Sequence, residues 1–309
     1  LTRNLRGIVL MGLLFGPLQL TRYSSKPTSR PAAGASRAVL WRKPENIKAR
    51  DLFFGPGGPE HAPKGKFVFI KENLKGTQPK FVVRDSNNVE WGVKVGKEAR
   101  VETAATRLLW AVGYFADEEY YVAELPFKGT PPLRRGEMAQ SGKAVAVRMK
   151  RHIESRHKIG YWRWDSNPFV GTRELNGLKV MMELMNNTDF KKEHLVVYDM
   201  GGVEQCYMVK DLGASFGRAG SDYFGRAGSK GILKDFEHYD LIRDRGPQYV
   251  DFWYFKHVPR KDAKWIGDLA GQLSDQQIRE AFRAGGFSQA EVEGFARKLR
   301  EKINELRRL

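Results

Sequence analysis

Cysteine is almost missing from this chain of 309 residues. Cys206 stands alone, so no disulfide can close within the chain and a cysteine-based zinc site is excluded. It falls in an apolar run and reads as a small buried side chain. The histidines, His61, His152, His157, His194, His238 and His257, are scattered. No two are four apart, the spacing that sets a pair of imidazoles on one helix face for a metal. A long apolar run is missing too: the N-terminal one, Gly7 to Leu20, has fourteen residues, too few for a membrane span.

Acids are scarce at the start. Residues 1–50 hold ten Lys or Arg and one acid, Glu45, so they supply +9 of the formal +17. Their basic residues are not interleaved with aromatics in the manner of a nucleic-acid module, so no nucleic-acid partner is expected. Two arginines precede the short apolar run, and the small residues Pro31 to Ser36 follow. That pattern is an export signal or an N-terminal anchor, with membrane association through the N-terminus. Residues 1–36 are therefore set apart as leader and linker, and the expected location is periplasmic, cell-envelope or secreted.

What is present is organised around Gly171 to Gly217. Leu175, Leu178, Met182 and Met185 recur at three- and four-residue steps, which marks the buried face of a helix that Thr172 can cap. A polar loop, Asn187 to His194, comes next. Two apolar runs, Leu195 to Tyr198 and Gln205 to Val209, flank Gly201-Gly202 as a hairpin. The second run ends in Asp211-Leu212-Gly213.

Upstream, Trp41 to about Lys66 is rich in Gly and Pro and reads as an extended lead-in. Phe67 to Ile70, Lys80 to Arg84 and Trp91 to Val95 alternate as strands, with a turn at Asp85 to Asn88. A helix follows directly, with Val101, Ala105, Leu108 and Val112 on one face and Gly113 as its stop. Tyr120 to Leu125 and Ala144 to Met149 are two further strands. Tyr161 to Trp164 is dense in aromatics and reads as packing or a stacking surface. Past Gly213 the run Phe-Gly-Arg-Ala-Gly-Ser occurs twice, from Phe216 and from Phe224. Ser274 and Ser288 are caps for two C-terminal helices, to about Arg283 and Leu306.

The central stretch resembles the catalytic segment of the protein-kinase-like superfamily, most nearly the HipA-type and phosphatidylinositol-kinase-like branch. Asp189 stands at the catalytic Asp, Lys191 at the lysine two residues on, and Asp211-Leu212-Gly213 at the metal-binding Asp-Phe-Gly. Asn187-x-Asp189 is similar to the Asn-x-Asp of HipA-type kinases. Lys75-Gly76-Thr77-Gln78-Pro79-Lys80 resembles their Ser-Gly-x-Gln-Pro-Lys loop over the nucleotide phosphates. Lys94 ends a strand and Glu102 lies on the next helix, like the kinase lysine and its glutamate. The departure is His194, where the family has a metal-binding Asn; imidazole is a poorer match for Mg²⁺ than an amide oxygen.

The resemblance implies an α+β, two-lobed kinase-like fold of an exported bacterial protein. An antiparallel-sheet lobe would span 37–150, and a mostly helical lobe with C-terminal helices 151–309. It implies a phosphotransferase that uses ATP and Mg²⁺ or Mn²⁺ on an acceptor that is protein, lipid, sugar or small molecule. Asp189 would orient the acceptor and Lys191 steady the moving group. Asp211 and His194 would hold metal, and Gly76, Thr77, Gln78, Lys80, Lys94 and Glu102 would hold nucleotide. Two other readings stand beside it: a pseudokinase that binds without turnover, and an envelope protein with no nucleotide site. Adenylyl transfer is a further option, since fold alone is a weak guide to chemistry.

Overall fold

The structure, a computed structural model, describes residues 36–309 apart from 75–77, 130–141, 188 and 219–227, with the backbone alone at 244 and 245. The expected leader therefore falls outside the described residues, save Ser36. Strand β1 is Arg37–Val39, β2 Phe67–Glu72, β3 Lys80–Arg84 and β4 Glu90–Val95. Helix α1, Lys97–Ala111, follows, then β5, Glu119–Lys128, β6, Lys143–Arg151, and β7, Arg156–Tyr161. Helix α2, Arg173–Leu184, leads into the hairpin of β8, Leu195–Met200, and β9, Glu204–Val209. Then come α3, Leu233–Glu237, and a small antiparallel sheet of β10, Asp244–Arg245, β11, Tyr249–Asp251, and β12, Val258–Pro259. The chain ends in α4, Arg260–Ala270, α5, Asp275–Ala284, and α6, Gln289–Arg307. It is a mixed α and β protein.

Alternation builds the first core. Phe81 and Val83 on β3 and Trp91, Val93 and Val95 on β4 point inward, while Lys80, Val82, Arg84, Glu90 and Gly92 take the other face. The sheet is antiparallel as expected except where it closes. It closes in the order β2-β3-β4-β6-β5, and the closing pair, β2 with β5, is parallel: Phe67 lies beside Phe127 and Val68 beside Lys128. Closure removes both edges and wraps the barrel around Phe81, Trp91, Phe127 and Met149.

The second core is larger and mostly helical. It gathers Leu108 and Leu109 of α1, Leu178 and Met182 of α2, Ile266 of α4, Phe282 of α5, and Phe295 and Leu299 of α6. Both predicted C-terminal caps form full capping boxes, Ser274 with Gln277 and Ser288 with Glu291. Ser36–Leu309 is one compact unit. No helix among the described residues is long and apolar enough to cross a membrane.

Three stretches differ from expectation. Residues 41–66 are not extended: they fold into short turns against α1, with Ile47 and Leu52 buried. Asp51 Oδ1 accepts from the amides of Phe53 and Phe54, and Gly55 and Gly57 are closed in by the side chains of Arg107 and Tyr120. Strands β1 and β7 were also unforeseen. They extend the β8–β9 hairpin on both sides, in the order β1-β9-β8-β7, with β1 parallel to β9.

Candidate functional site

Lys94 is the centre of the site, and its position follows from strand register. On β4 it faces away from the barrel core, directly opposite Lys80 on β3 and Arg148 on β6. Three adjacent strands thus carry three cations in a row. Gly96, at φ 106°, turns the chain sharply into α1. The first turns of that helix then lie over the row and bring Glu98 and Glu102 onto it. Lys94 Nζ donates to Glu102 Oε2 at 3.0 Å and pairs with Glu98 Oε2 at 2.8 Å. Arg148 Nη2 donates to the Glu102 carboxylate at 3.2 and 3.3 Å.

Asp211 comes from the far side. The β8–β9 hairpin returns the chain to it, and its backbone is left-handed at φ 57°, ψ 54°, a conformation that costs an Asp free energy and that collects at functional sites. Asp211 Oδ1 meets Lys94 Nζ at 2.5 Å. Burial disfavours charge on both groups, but it is outweighed at Lys94 by the Glu102 carboxylate first and Asp211 second, and at Asp211 by the Lys94 ammonium. The Asp211 carboxyl is held well below the usual carboxylate range and the Lys94 ammonium above the usual lysine value.

Asp189 is fixed by Asn187. Helix α2 ends at a left-handed Asn186, φ 47°, which throws the loop outward. Asn187, 1% exposed, accepts the Asp189 amide at 3.1 Å and donates to Ser215 Oγ at 2.9 Å. One amide therefore ties the Asp189 loop to the turn behind Asp211. Lys191 Nζ reaches Asp189 Oδ2 at 3.3 Å. His194 stands between the two acids, Nδ1 3.5 Å from Asp189 Oδ1 and Nε2 3.5 Å from Asp211 Oδ2.

These groups line one cleft of about 640 Å³, together with Gln78, Lys80 and Lys150. Of the expected nucleotide-binding residues, Gly76 and Thr77 lie outside the described residues. Gln78 donates to Glu98 at 3.4 Å. The Lys80 side chain makes no ion pair among the described residues, and its pKa is lowered, chiefly by burial. At the other end of the cleft, Lys150 and Lys210 face the half-buried Asp117 at 3.4 and 3.9 Å. Burial pushes the Lys150 ammonium down to about 8.

Glu98, Arg148 and Lys230 were not singled out from the sequence. Glu98 is one helical turn before Glu102, and Arg148 is the outward neighbour of inward Met149, so periodicity could have found both. The run Gly213-Ala214-Ser215-Phe216-Gly217 spells a hydrolase nucleophile elbow, Gly-x-Ser-x-Gly. Ser215 is fully buried, accepts from Asn187 and donates to the Leu212 carbonyl at 2.8 Å, so it is no exposed nucleophile.

No family model matches the sequence, and no curated protein matches it. Among solved structures the chain is similar to the proinflammatory kinase CtkA of Helicobacter pylori, at 12% identity and a TM-score of 0.49, covering 80% of this chain and 98% of that one.

Proposed function

We propose that this protein is a kinase-like phosphotransferase that moves the terminal phosphoryl group of ATP to an acceptor hydroxyl, with Mg²⁺ or Mn²⁺ as cofactor. The observation that carries this reading is the joint hold of Glu102 and Asp211 on Lys94. A strand lysine tied to a helix carboxylate, next to a strained Asp and across a cleft from a second, fixed Asp, is what phosphoryl transfer needs in one place.

Lys94 and Lys80 suit the phosphate chain, because two cations opposed on neighbouring strands repel each other until an anion lies between them. Gln78 borders the same space. Asp189 takes the acceptor hydroxyl as a hydrogen-bond donor and receives its proton. The hydroxyl oxygen bonds to the terminal phosphorus, the bond from phosphorus to the bridging oxygen breaks, and ADP leaves. Lys191, beside Asp189, offsets charge on the moving group.

The Asp211 carboxylate suits a hard divalent ion that keeps phosphate and water ligands, and the His194 imidazole beside it suits Mn²⁺ better than Mg²⁺. Asp211 and His194 would hold it; among the described residues no cluster of three or more His, Cys, Asp or Glu cages a metal by itself. Bound there, the ion would neutralise phosphate charge.

A second reading, a nucleotide-binding module without turnover, is favoured by His194. An imidazole in place of an oxygen ligand weakens a site for Mg²⁺. Incubating the full chain with ATP labelled in its terminal phosphate separates the two. The kinase reading expects labelled protein or free labelled phosphate, lost in Asp189→Asn. Bound ATP with no ADP formed would leave the binding module, and neither binding nor turnover would end both.

A further inference from the structure

Lys230 has no role in the reaction described above, yet its ammonium lies in the same cleft. It donates to Glu98 Oε1, while Lys94 holds Glu98 Oε2 at 2.8 Å. One carboxylate thus bridges two ammonium groups that arrive from opposite ends of the site. The Gln78 amide reaches the same Oε1.

Backbone pairing delivers Lys230. The Arg218 amide donates to Ser229 Oγ at 2.7 Å, and the Ser229 amide returns to the Arg218 carbonyl at 3.0 Å. The Gly231 and Ile232 amides donate to the carbonyls of Ser215 and Phe216 at 3.0 and 2.9 Å. A side chain at Gly217 would run into the Ser229 carbonyl. Phe216 to Arg218 open the first Phe-Gly-Arg-Ala-Gly-Ser copy, and Ser229 closes the second. The two described ends of the duplicated segment, Arg218 and Ser229, are therefore paired, and Lys230 is the first residue beyond them.

Glu102 serves Lys94 and Arg148, Asp211 serves Lys94, and Glu98 is shared by Lys94 and Lys230. Lys80 stands opposite Lys94. Arg148 also pairs with the buried Glu119 at 3.5 Å, so among the described residues Lys80 is the one of these four cations without a carboxylate partner. The Lys230 side chain is 41% exposed and can swing into solvent, while the buried Glu98 left behind keeps Lys94 as its partner.

We propose that Lys230 is a second phosphate-binding lysine of the cleft: it rests on Glu98 in the free protein and moves to the phosphates of a bound nucleoside triphosphate. This inference rests on the nucleotide reading above. Glu98 is then the resting counter-ion of Lys230, which phosphate replaces, while Lys94 stays on its other oxygen.

The test compares ATP with adenosine by titration calorimetry in Mn²⁺, using the full chain, Lys230→Met, Lys230→Arg and Glu98→Gln. Loss of one charge-assisted hydrogen bond predicts that Lys230→Met binds ATP about tenfold more weakly, with adenosine unaffected and affinity restored in Lys230→Arg. Glu98→Gln, which releases both lysines, is expected to bind ATP more tightly. Equal ATP affinity in wild type and Lys230→Met overturns the assignment of Lys230 and leaves the nucleotide reading standing. Equal losses for ATP and adenosine overturn it too, because they report a structural role. A wild-type chain that binds no ATP removes the nucleotide reading, and this inference with it.

Discussion

Asn187 joins the two acids of the cleft through a single side chain. Its carbonyl oxygen accepts the Asp189 amide at 3.1 Å, and its amide nitrogen donates to Ser215 four residues beyond Asp211, at 2.9 Å. The spacing of Asp189 from Asp211 is thus set by a buried hydrogen-bond bridge, and chemistry should depend on it more than binding does. Asn187→Ala is expected to cost about 1–3 kcal/mol of stability, since it strands buried partners. It should lower the rate of ADP formation while the ATP dissociation constant stays within a few-fold. Paired turnover and calorimetric measurements check this.

Lys94→Met should be the most damaging single change at the site. The Lys94 and Glu102 side chains are 1% and 3% exposed, so removal of the ammonium leaves a buried carboxylate beside only Arg148. Breaking one side of such a pair costs about 3–5 kcal/mol. Urea denaturation of the variant measures the loss directly. An effect under 1 kcal/mol would show that the Lys94–Glu102 pair is solvated.

Gly213 allows α1 to approach the Asp211 turn. A Cβ there would come 2.9 Å from Glu98 Cβ, closer than two such atoms pack, and neither belongs to a flexible tip. Gly213→Ala should therefore destabilise by about 1–3 kcal/mol and weaken ATP binding by shifting Glu98 and Asp211 apart. Thermal melts with and without ATP report both effects.

Lys302 offers a test of electrostatics far from the cleft. It is buried on α6, and its ammonium packs over the Phe236 and Tyr239 rings at 4.0 and 4.1 Å with no hydrogen-bond partner among the described residues. The rings favour the charged form, but burial outweighs them and pulls the group from 10.5 down to about 6. The folded pKa is below the unfolded one, so between about 6 and 10.5 the unfolded chain binds the extra proton. Lys302 therefore makes stability rise with pH across that window. Lys302→Met should be more stable at pH 7 and show a flatter profile from pH 6 to 10. Chemical denaturation at several pH values gives the slope, and an unchanged profile would refute this account.

Local periodicity made much of this legible. The alternation at Phe81, Val83, Trp91 and Val93 marked the barrel strands, and the Gly201-Gly202 turn marked the hairpin that leads to Asp211. What stayed hidden depends on distant pairing. Strand β1 has only three residues, Arg37–Val39, and owes its existence to β9, 167 positions on from Arg37 to Glu204. Barrel closure between Phe67 and Phe127 leaves no trace in either run. Glu98 looks like any charge in a first helical turn until Lys94 and Lys230 are seen on its two oxygens. Lys230 sits 19 positions beyond Asp211, across a repeated segment, and no spacing rule reaches it.

The most direct test of the central claim is calorimetric titration of the full chain with ATP in Mg²⁺, with EDTA, and with Asp211→Ala. The account predicts saturable binding that weakens at least tenfold both without metal and in the variant, a change of about 1.4 kcal/mol or more. ATP binding of equal strength with and without metal, and in Asp211→Ala, would contradict it.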